Sequence, residues 1–250
     1  MKAMILAAGK GTRLREITKG KIPKPMVDLG PGPLLEHTLN LLLDHNLVDE
    51  LVINTHTEPE TITDHFGEEY RGAKVDYSYE EELLGTAGGV KNVEEKFNDT
   101  FIVFYGDILT DIDLEKMVEE HRRKGADATI LAYEEDSDSL SEASIIVTDG
   151  EGFLTEFIEK PSENEISRFD GKDFLTNAGI YILEPEMLEV IPEGFSDFSK
   201  DIFPRAIEKG MDIYAYRLPK ESYWHEVGNP GRYRKAVEDI DKGKIDFREG

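Results

Sequence analysis

"ILAAGKGTRLREITKGKIPKPMV", residues 5 to 27, starts as an apolar strand and turns into a loop of glycine, proline and positive charge. A strand running into a glycine turn opens a strand, loop, helix unit whose backbone N–H groups can approach an anion closely. Across residues 1 to 24, seven basic side chains (Lys2, Lys10, Arg13, Arg15, Lys19, Lys21, Lys24) stand against one acid, Glu16, in a 250-residue chain of formal net charge -24. A positive loop in so negative a protein raises local anion affinity when its charges converge, which favours a phosphate-type ligand over an extended polyanion. Nucleic acid is therefore not expected as a partner.

The glycines follow neither of two common nucleotide loops. Gly9 and Gly11 have Leu14 where the dinucleotide fingerprint needs a third glycine, and "GKGT" lacks the P-loop order of a glycine ahead of a Gly-Lys-Thr triplet. Instead, Arg13 lies two residues past Gly11, and Lys24 stands between Pro23 and Pro25, whose fixed φ angles hold its backbone stiffly. A forked arginine and a rigidly presented lysine can meet the several oxygens of a nucleoside triphosphate.

Beyond this loop, short apolar runs alternate with helical periodicity, the pattern of a largely parallel sheet with crossover helices. Strands are expected at 3 to 8, 50 to 55, 74 to 79, 100 to 106 and 127 to 133, with helices at 33 to 46 and 114 to 125. Leu35, Leu39, Leu42 and Leu43 form the apolar stripe of the first helix. His121 to Lys124 followed by Gly125 reads as a C-terminal cap rather than a binding patch. After residue 133 comes the acidic, serine-rich stretch "EEDSDSLSE" (134 to 142), read as an exposed loop. Then "SIIVTD", "FLTEFIEK" and "FLTNAGIYIL" read as strands without intervening helices, and helices return at 199 to 210 and 230 to 243. The expected fold is α/β, a Rossmann-like, mostly parallel sheet flanked by helices with a smaller β-rich lobe. We read one domain over residues 1 to 245, with a nucleotide-binding part to about 133, a β-rich part at about 143 to 220 and the last helix at 230 to 243.

The chain has no cysteine, so disulfide and thiolate chemistry are excluded. The apolar stretch at the start is too short for a signal peptide, and no run approaches the roughly 18 apolar residues of a membrane span. A cytoplasmic protein with no membrane partner is expected. The 53 acids point to adaptation to high salt, where a Debye length of about 3 Å at 1 M screens self-repulsion.

Asp107 in "FIVFYGDIL" is placed at the C-terminal end of the fourth strand, the edge at which open α/β sheets bind ligands. A carboxylate there suits Mg²⁺, which takes one or two carboxylates together with phosphate oxygens, and Glu226 in "YWHEVGNP" is a candidate for the second. Trp224 beside it reads as packing. "IEKP" alone would be a strand end with a charged turn, and "NAGIYIL" a buried strand.

Eight segments in order, "LAAGKGTRL", "PKPMV", "LGTAGGV", "YGDIL", "IEKP", "NAGIYIL", "KDIFP" and "YWHEVGNPGRY", together resemble the sugar-1-phosphate nucleotidyltransferases over residues 1 to about 240. The resemblance implies a nucleotidyl transfer from a nucleoside triphosphate to a sugar 1-phosphate with release of pyrophosphate, in a short form without the C-terminal β-helical domain of some relatives. It assigns Gly9, Gly11 and Arg13 to the triphosphate, Ala8 and Thr12 to nucleotide binding, Lys24 to phosphate charge at the reacting centre, and Glu80 to the base. Gly85, Thr86 and Gly88 would line the nucleotide and sugar pocket, Glu159 and Asn177 would hold the sugar, and Lys160 its phosphate. Arg13, Lys24, Asp107 and Lys160 would form the catalytic set, with Asp107 and Glu226 on Mg²⁺. The chain departs from the family at Glu226, usually aspartate, and at Ala143-Ser144, often Tyr-Gly. A catalytically silent binding relative and a transferase acting on a non-sugar phosphate are the alternatives; self-association as a homo-oligomer is left open.

Overall fold

The computed structural model describes residues 1–44, 47–134, 143–169 and 174–247. The acidic stretch at 134 to 142 lies, apart from Glu134, outside the described residues. The strands are β1 Lys2–Leu6, β2 Glu50–Thr55, β3 Glu69–Tyr70, β4 Ala73–Tyr79, β5 Phe101–Tyr105, β6 Ile108–Thr110, β7 Ala128–Tyr133, β8 Ser144–Thr148, β9 Leu154–Glu159, β10 Thr176–Leu183, β11 Ile213–Arg217 and β12 Trp224–Glu226. The α-helices are α1 Arg15–Thr18, α2 Leu34–Leu43, α3 Pro59–Phe66, α4 Gly85–Lys91, α5 Leu114–Lys124, α6 Glu163–Ile166, α7 Phe203–Glu208 and α8 Pro230–Asp241. The chain divides into two compact units, Met1–Leu83 with Ile102–Glu115 and Pro219–Gly250, and Leu84–Phe101 with Lys116–Leu218.

In the first unit the strand order is β5-β1-β2-β4-β3. β1 runs parallel to β2 and β2 parallel to β4, while the two-residue β3 turns back antiparallel. Ala3, Met4 and Ile5 of β1 and Leu51, Val52 and Ile53 of β2 are fully buried, as continuous apolar runs in a parallel sheet require. The register sets Leu6 opposite Asn54 and Thr55 opposite Tyr79, so the C-terminal ends of these strands reach one edge together. Gly106, just past β5, joins that edge by donating its N–H to the Leu6 carbonyl at 3.0 Å.

The leucine stripe of α2 is buried as expected at Leu35, Leu39 and Leu42, and buried His37 extends the packing by bonding the Thr110 carbonyl at 2.8 Å. Polar α3 was not legible because only Ile62 and Phe66 carry its packing face. β12 pairs antiparallel with β6, Glu226 opposite Ile108, and Leu14, Val27, Leu109, Val227 and Ala236 form one apolar cluster beneath that ribbon.

In the second unit β7 pairs parallel with β11 and antiparallel with β10, and β8 and β9 form an antiparallel hairpin. The expected direct passage from strand to strand is interrupted between β9 and β10 by the single turn α6. That turn is stabilised by a capping box: Ser162 Oγ accepts from Glu165 N, and Ser162 N donates to Glu165 Oε2. The expected helix at 199 to 210 is a π-helical turn, Phe198–Ile202, followed by α7. At the end of α5, Gly125 caps as expected (φ 62°), but His121 is a core residue bonded to Thr129 Oγ1 at 2.8 Å and Glu184 Oε1 at 3.0 Å. Among the described residues, no helix is long and apolar enough to cross a membrane.

Candidate active site

The first unit brings the glycine loop, the proline-flanked lysine and both carboxylates together. The loop begins where β1 ends, and its course is fixed by Asn54 of β2: Asn54 Oδ1 accepts from the N–H of Ala7 at 2.6 Å and of Ala8 at 3.2 Å. Gly9 then donates back to the Ala7 carbonyl at 2.9 Å. Gly11 adopts φ +56°, a left-handed conformation that glycine takes without steric cost. A Cβ there would lie 3.3 Å from Lys24 Cβ, so the missing side chain also lets the loop pack onto the Pro23-Lys24-Pro25 segment. Thr12, Arg13 and Leu14 continue as a 3₁₀ turn, with Leu14 buried and the Arg13 side chain exposed.

Lys24 is the centre of the charge cluster. Its Nζ donates to Asp107 Oδ2 and lies 3.8 Å from Glu226 Oε1. Arg13 Nη2 lies 3.6 Å from the same Glu226 oxygen, and Arg232 Nη1, from the first turn of α8, donates to Glu226 Oε2. The β6–β12 ribbon makes this possible, because Val227 N donates to the Asp107 carbonyl at 2.8 Å and thereby holds the two acids side by side. Two glycines fit the site closely: a Cβ at Gly228 would lie 2.2 Å from Glu226 Oε1, and one at Gly106 3.0 Å from the Leu6 carbonyl and 3.3 Å from Pro25 Cγ. Three cations around two carboxylates leave a local positive excess, as anion binding requires.

Glu80 follows β4 and is 2% exposed. Its Oε1 accepts from Asn54 Nδ2 at 2.7 Å, and its carbonyl accepts from His56 Nδ1 at 2.8 Å. Since a carbonyl only accepts, Nδ1 of His56 carries the proton in this contact.

In the second unit the segment around Gly85, Thr86 and Gly88 is held against residues 194–198. Ala87 N and Gly88 N donate to the Ser196 carbonyl at 2.9 and 3.1 Å, Thr86 Oγ1 donates to Asp197 Oδ1 at 3.3 Å, and Phe198 N donates to Thr86 Oγ1 at 2.9 Å. A Cβ at Gly88 would lie 2.2 Å from the Gly194 carbonyl, and one at Gly85 2.5 Å from the Ser196 carbonyl, so these glycines serve close backbone packing. Gly88 is buried, whereas Gly85 and Thr86 remain partly exposed.

Asn177 stands at an irregularity in the pairing of β10 with β7. Its Nδ2 donates to Tyr181 Oη at 2.7 Å and Ser199 Oγ at 3.0 Å, and its Oδ1 accepts from Gly179 N at 2.9 Å. Glu159, the last residue of β9, has its carboxyl pushed above the usual range by burial, an effect that Lys160 and Lys200 oppose and Asp197 reinforces. Lys160 is exposed and takes φ +50° directly before Pro161. A left-handed lysine costs of order 1 kcal/mol or more.

Asn54, Arg232, Asp197 and Lys200 were not singled out in the sequence. Asn54 reads locally as an ordinary strand residue. Arg232 is one of three basic residues in "GRYRK", and only the fold shows which of them meets Glu226.

A cationic centre beside a glycine loop on the C-terminal edge of a parallel sheet is the arrangement of an α/β nucleotide-binding protein. The chain belongs to the nucleotidyl transferase family, whose sequence profile matches residues 2–243. It is 38% identical over 96% of its length to a UTP--glucose-1-phosphate uridylyltransferase of Synechocystis, covering 63% of that protein. It is 31% identical to a mannose-1-phosphate guanylyltransferase of Mycobacterium tuberculosis, with 96% of the chain and 65% of that protein covered. The chain thus spans somewhat under two thirds of the length of these curated relatives. Among solved structures, HddC from Yersinia pseudotuberculosis superposes with a TM-score of 0.75 at 28% identity, covering 96% of this chain and 99% of that one.

Proposed function

We propose that the protein transfers a nucleotidyl group from a nucleoside triphosphate to a sugar 1-phosphate, giving a nucleoside diphosphate sugar and pyrophosphate. The observation that carries this reading is the packing of the Gly11 loop onto Lys24, with Lys24 in contact with Asp107 and close to Glu226. The names of the relatives support it, since they describe transfer of a uridylyl or guanylyl group to a hexose 1-phosphate.

The chemistry asks for little beyond charge and alignment. A sugar 1-phosphate, with a second pKa near 6, is already mostly dianionic at neutral pH and needs no general base. One of its oxygens forms the new bond to the α-phosphorus, the bond from that phosphorus to the bridging β-oxygen breaks, and the electron pair leaves with pyrophosphate. Arg13 and the loop amides would hold the triphosphate chain, Lys24 would neutralise charge at the reacting phosphorus, and Lys160 would bind the sugar phosphate. Glu159 and Asn177 would orient the sugar.

Asp107 and Glu226 fit Mg²⁺ by donor type, because both present carboxylate oxygens toward one cation position, now that of the Lys24 ammonium. When bound, the metal would neutralise phosphate charge and align the triphosphate. No other acid is grouped with these two as a metal cluster among the described residues, in keeping with a metal completed by phosphate oxygens and water.

The test is pyrophosphate release from a panel of triphosphates and sugar 1-phosphates with Mg²⁺ at low and molar salt. Turnover with at least one pair is expected. Tight binding of a sugar nucleotide with no turnover for any pair would favour the silent relative. The same preparations should melt at higher temperature in molar salt, as the proposed adaptation of so acidic a chain requires.

A further inference from the structure

We propose that Glu80 and Asn54 form a positioning pair that sets the start of the phosphate loop by hydrogen-bond polarity. This rests on the triphosphate reading of the first unit's cluster. Both side chains are 2% exposed, and they form a relay from β4 to the loop: Glu80 Oε1 accepts from Asn54 Nδ2 at 2.7 Å, while Asn54 Oδ1 accepts from Ala7 N at 2.6 Å and Ala8 N at 3.2 Å.

The chemical types leave a single solution. A carboxylate only accepts hydrogen bonds and backbone N–H groups only donate, so the amide between them must turn Nδ2 to Glu80 and Oδ1 to the loop. Glu80 is itself fixed at both backbone atoms, its N donating to the Thr55 carbonyl at 2.8 Å and its carbonyl accepting from His56 Nδ1 at 2.8 Å. With the amides of Ala7 and Ala8 turned toward Asn54 and Gly9 N tied to the Ala7 carbonyl, the turn at Lys10 to Thr12 leaves this anchor in one direction. A loop ordered before the ligand arrives avoids the entropy cost of ordering it on binding. That gain is the same for every base.

Inverting the polarity of the relay tests it. Asn54→Asp sets two acceptors against each other. Asn54→Asp combined with Glu80→Gln restores a donor facing an acceptor, with Gln Nε2 donating to one Asp oxygen while the other accepts from Ala7 and Ala8. Binding of ATP, GTP, CTP and UTP is measured by calorimetry on the full chain with Mg²⁺ at pH 8, beside melting curves and hydrogen exchange at Ala7 and Ala8. Asn54→Asp is expected to weaken every triphosphate the wild type binds by about tenfold or more, by similar factors, the scale of one unmatched buried hydrogen bond. The double variant is expected to recover most of that affinity and the exchange protection, and Glu80→Gln alone to keep the protection at Ala7 and Ala8, because its side-chain carbonyl can still accept from Asn54 Nδ2. Lost exchange protection at Ala7 and Ala8 in Glu80→Gln, or a double variant no better than Asn54→Asp in both binding and exchange, overturns the proposal. A wild type that binds no triphosphate overturns the functional reading and removes the ligand role of the pair with it, whereas failure confined to the variants leaves that reading standing.

Discussion

In the first unit the candidate residues meet through ion pairs, Arg13, Lys24 and Arg232 around Asp107 and Glu226, whereas in the second Thr86 and Asn177 are held by hydrogen bonds with backbone and hydroxyl groups and with the Asp197 carboxylate. The glycines differ in the same way. Gly11 takes its positive φ to bring a loop onto a lysine, while Gly88 exists because the Gly194 carbonyl leaves no room for a Cβ. The contrast separates two kinds of sensitivity: substitutions in the charge cluster should remove turnover from a stable protein, and substitutions around Gly88 and Asn177 should remove stability first.

The sharpest test of that contrast is Lys24→Ala and Asp107→Ala, each expected to lower turnover by about 10³-fold or more, the scale for removing a group that meets developing phosphate charge. Melting should change little, because both side chains are partly exposed and their ion pair adds little to stability. A large fall in melting temperature with turnover preserved in the folded fraction would erase the distinction. Gly88→Ala should act the other way, since its Cβ would lie 2.2 Å from a backbone carbonyl; overpacking of this kind costs about 3 kcal/mol, read as a lower melting midpoint. Asn177→Ala should cost about 1 to 2 kcal/mol through the unmatched groups it leaves, and should weaken sugar 1-phosphate binding more than triphosphate binding.

The smallest effect concerns Glu159. Burial raises its folded-state pKa, so the protonated form is the one the fold favours; its contribution to stability is present below the unfolded pKa and is lost as pH rises through the folded value. Glu159→Gln should therefore melt slightly above the wild type at pH 7 and show no such gain near pH 3.5. A gain of equal size at both pH values would mean that charge is not the cause. If Glu159 holds the sugar, the same variant should lose affinity for the sugar 1-phosphate, so that stability and binding move in opposite directions.

How far the fold could be read from the sequence follows from where each element's signal lies. β1, β2 and β5 are buried apolar runs, and α2 carries four leucines at helical spacing, so their positions were legible. By contrast α4, "GTAGGVK", has poor helix propensity and forms because its glycines allow close packing with residues 194–198. The ribbon of β6 and β12 has three residues on each side, too few for a period to show. At the site, local motifs pointed to Lys24 and Asp107, but their contact depends on a sheet edge that only the fold assembles. Asn54 is the clearest case of what stayed hidden, since its role depends on Ala7, Ala8 and Glu80 at once.

The β6–β12 ribbon has one further consequence, for the order of events during synthesis. Asp107 and the Gly11 loop leave the ribosome well before Glu226 and Arg232, with nearly the whole second unit made in between. A nascent chain therefore carries the basic loop without half of its counter-charges until β12 emerges and pairs with Ile108 to Thr110. Closing so distant a contact is slow compared with local folding, so the charge cluster is completed at the end of folding rather than at its nucleation. Chains stalled or cleaved before Trp224 would keep Lys24 with Asp107 alone and Arg13 without Glu226, so an unfinished copy carries a more positive loop than a finished one.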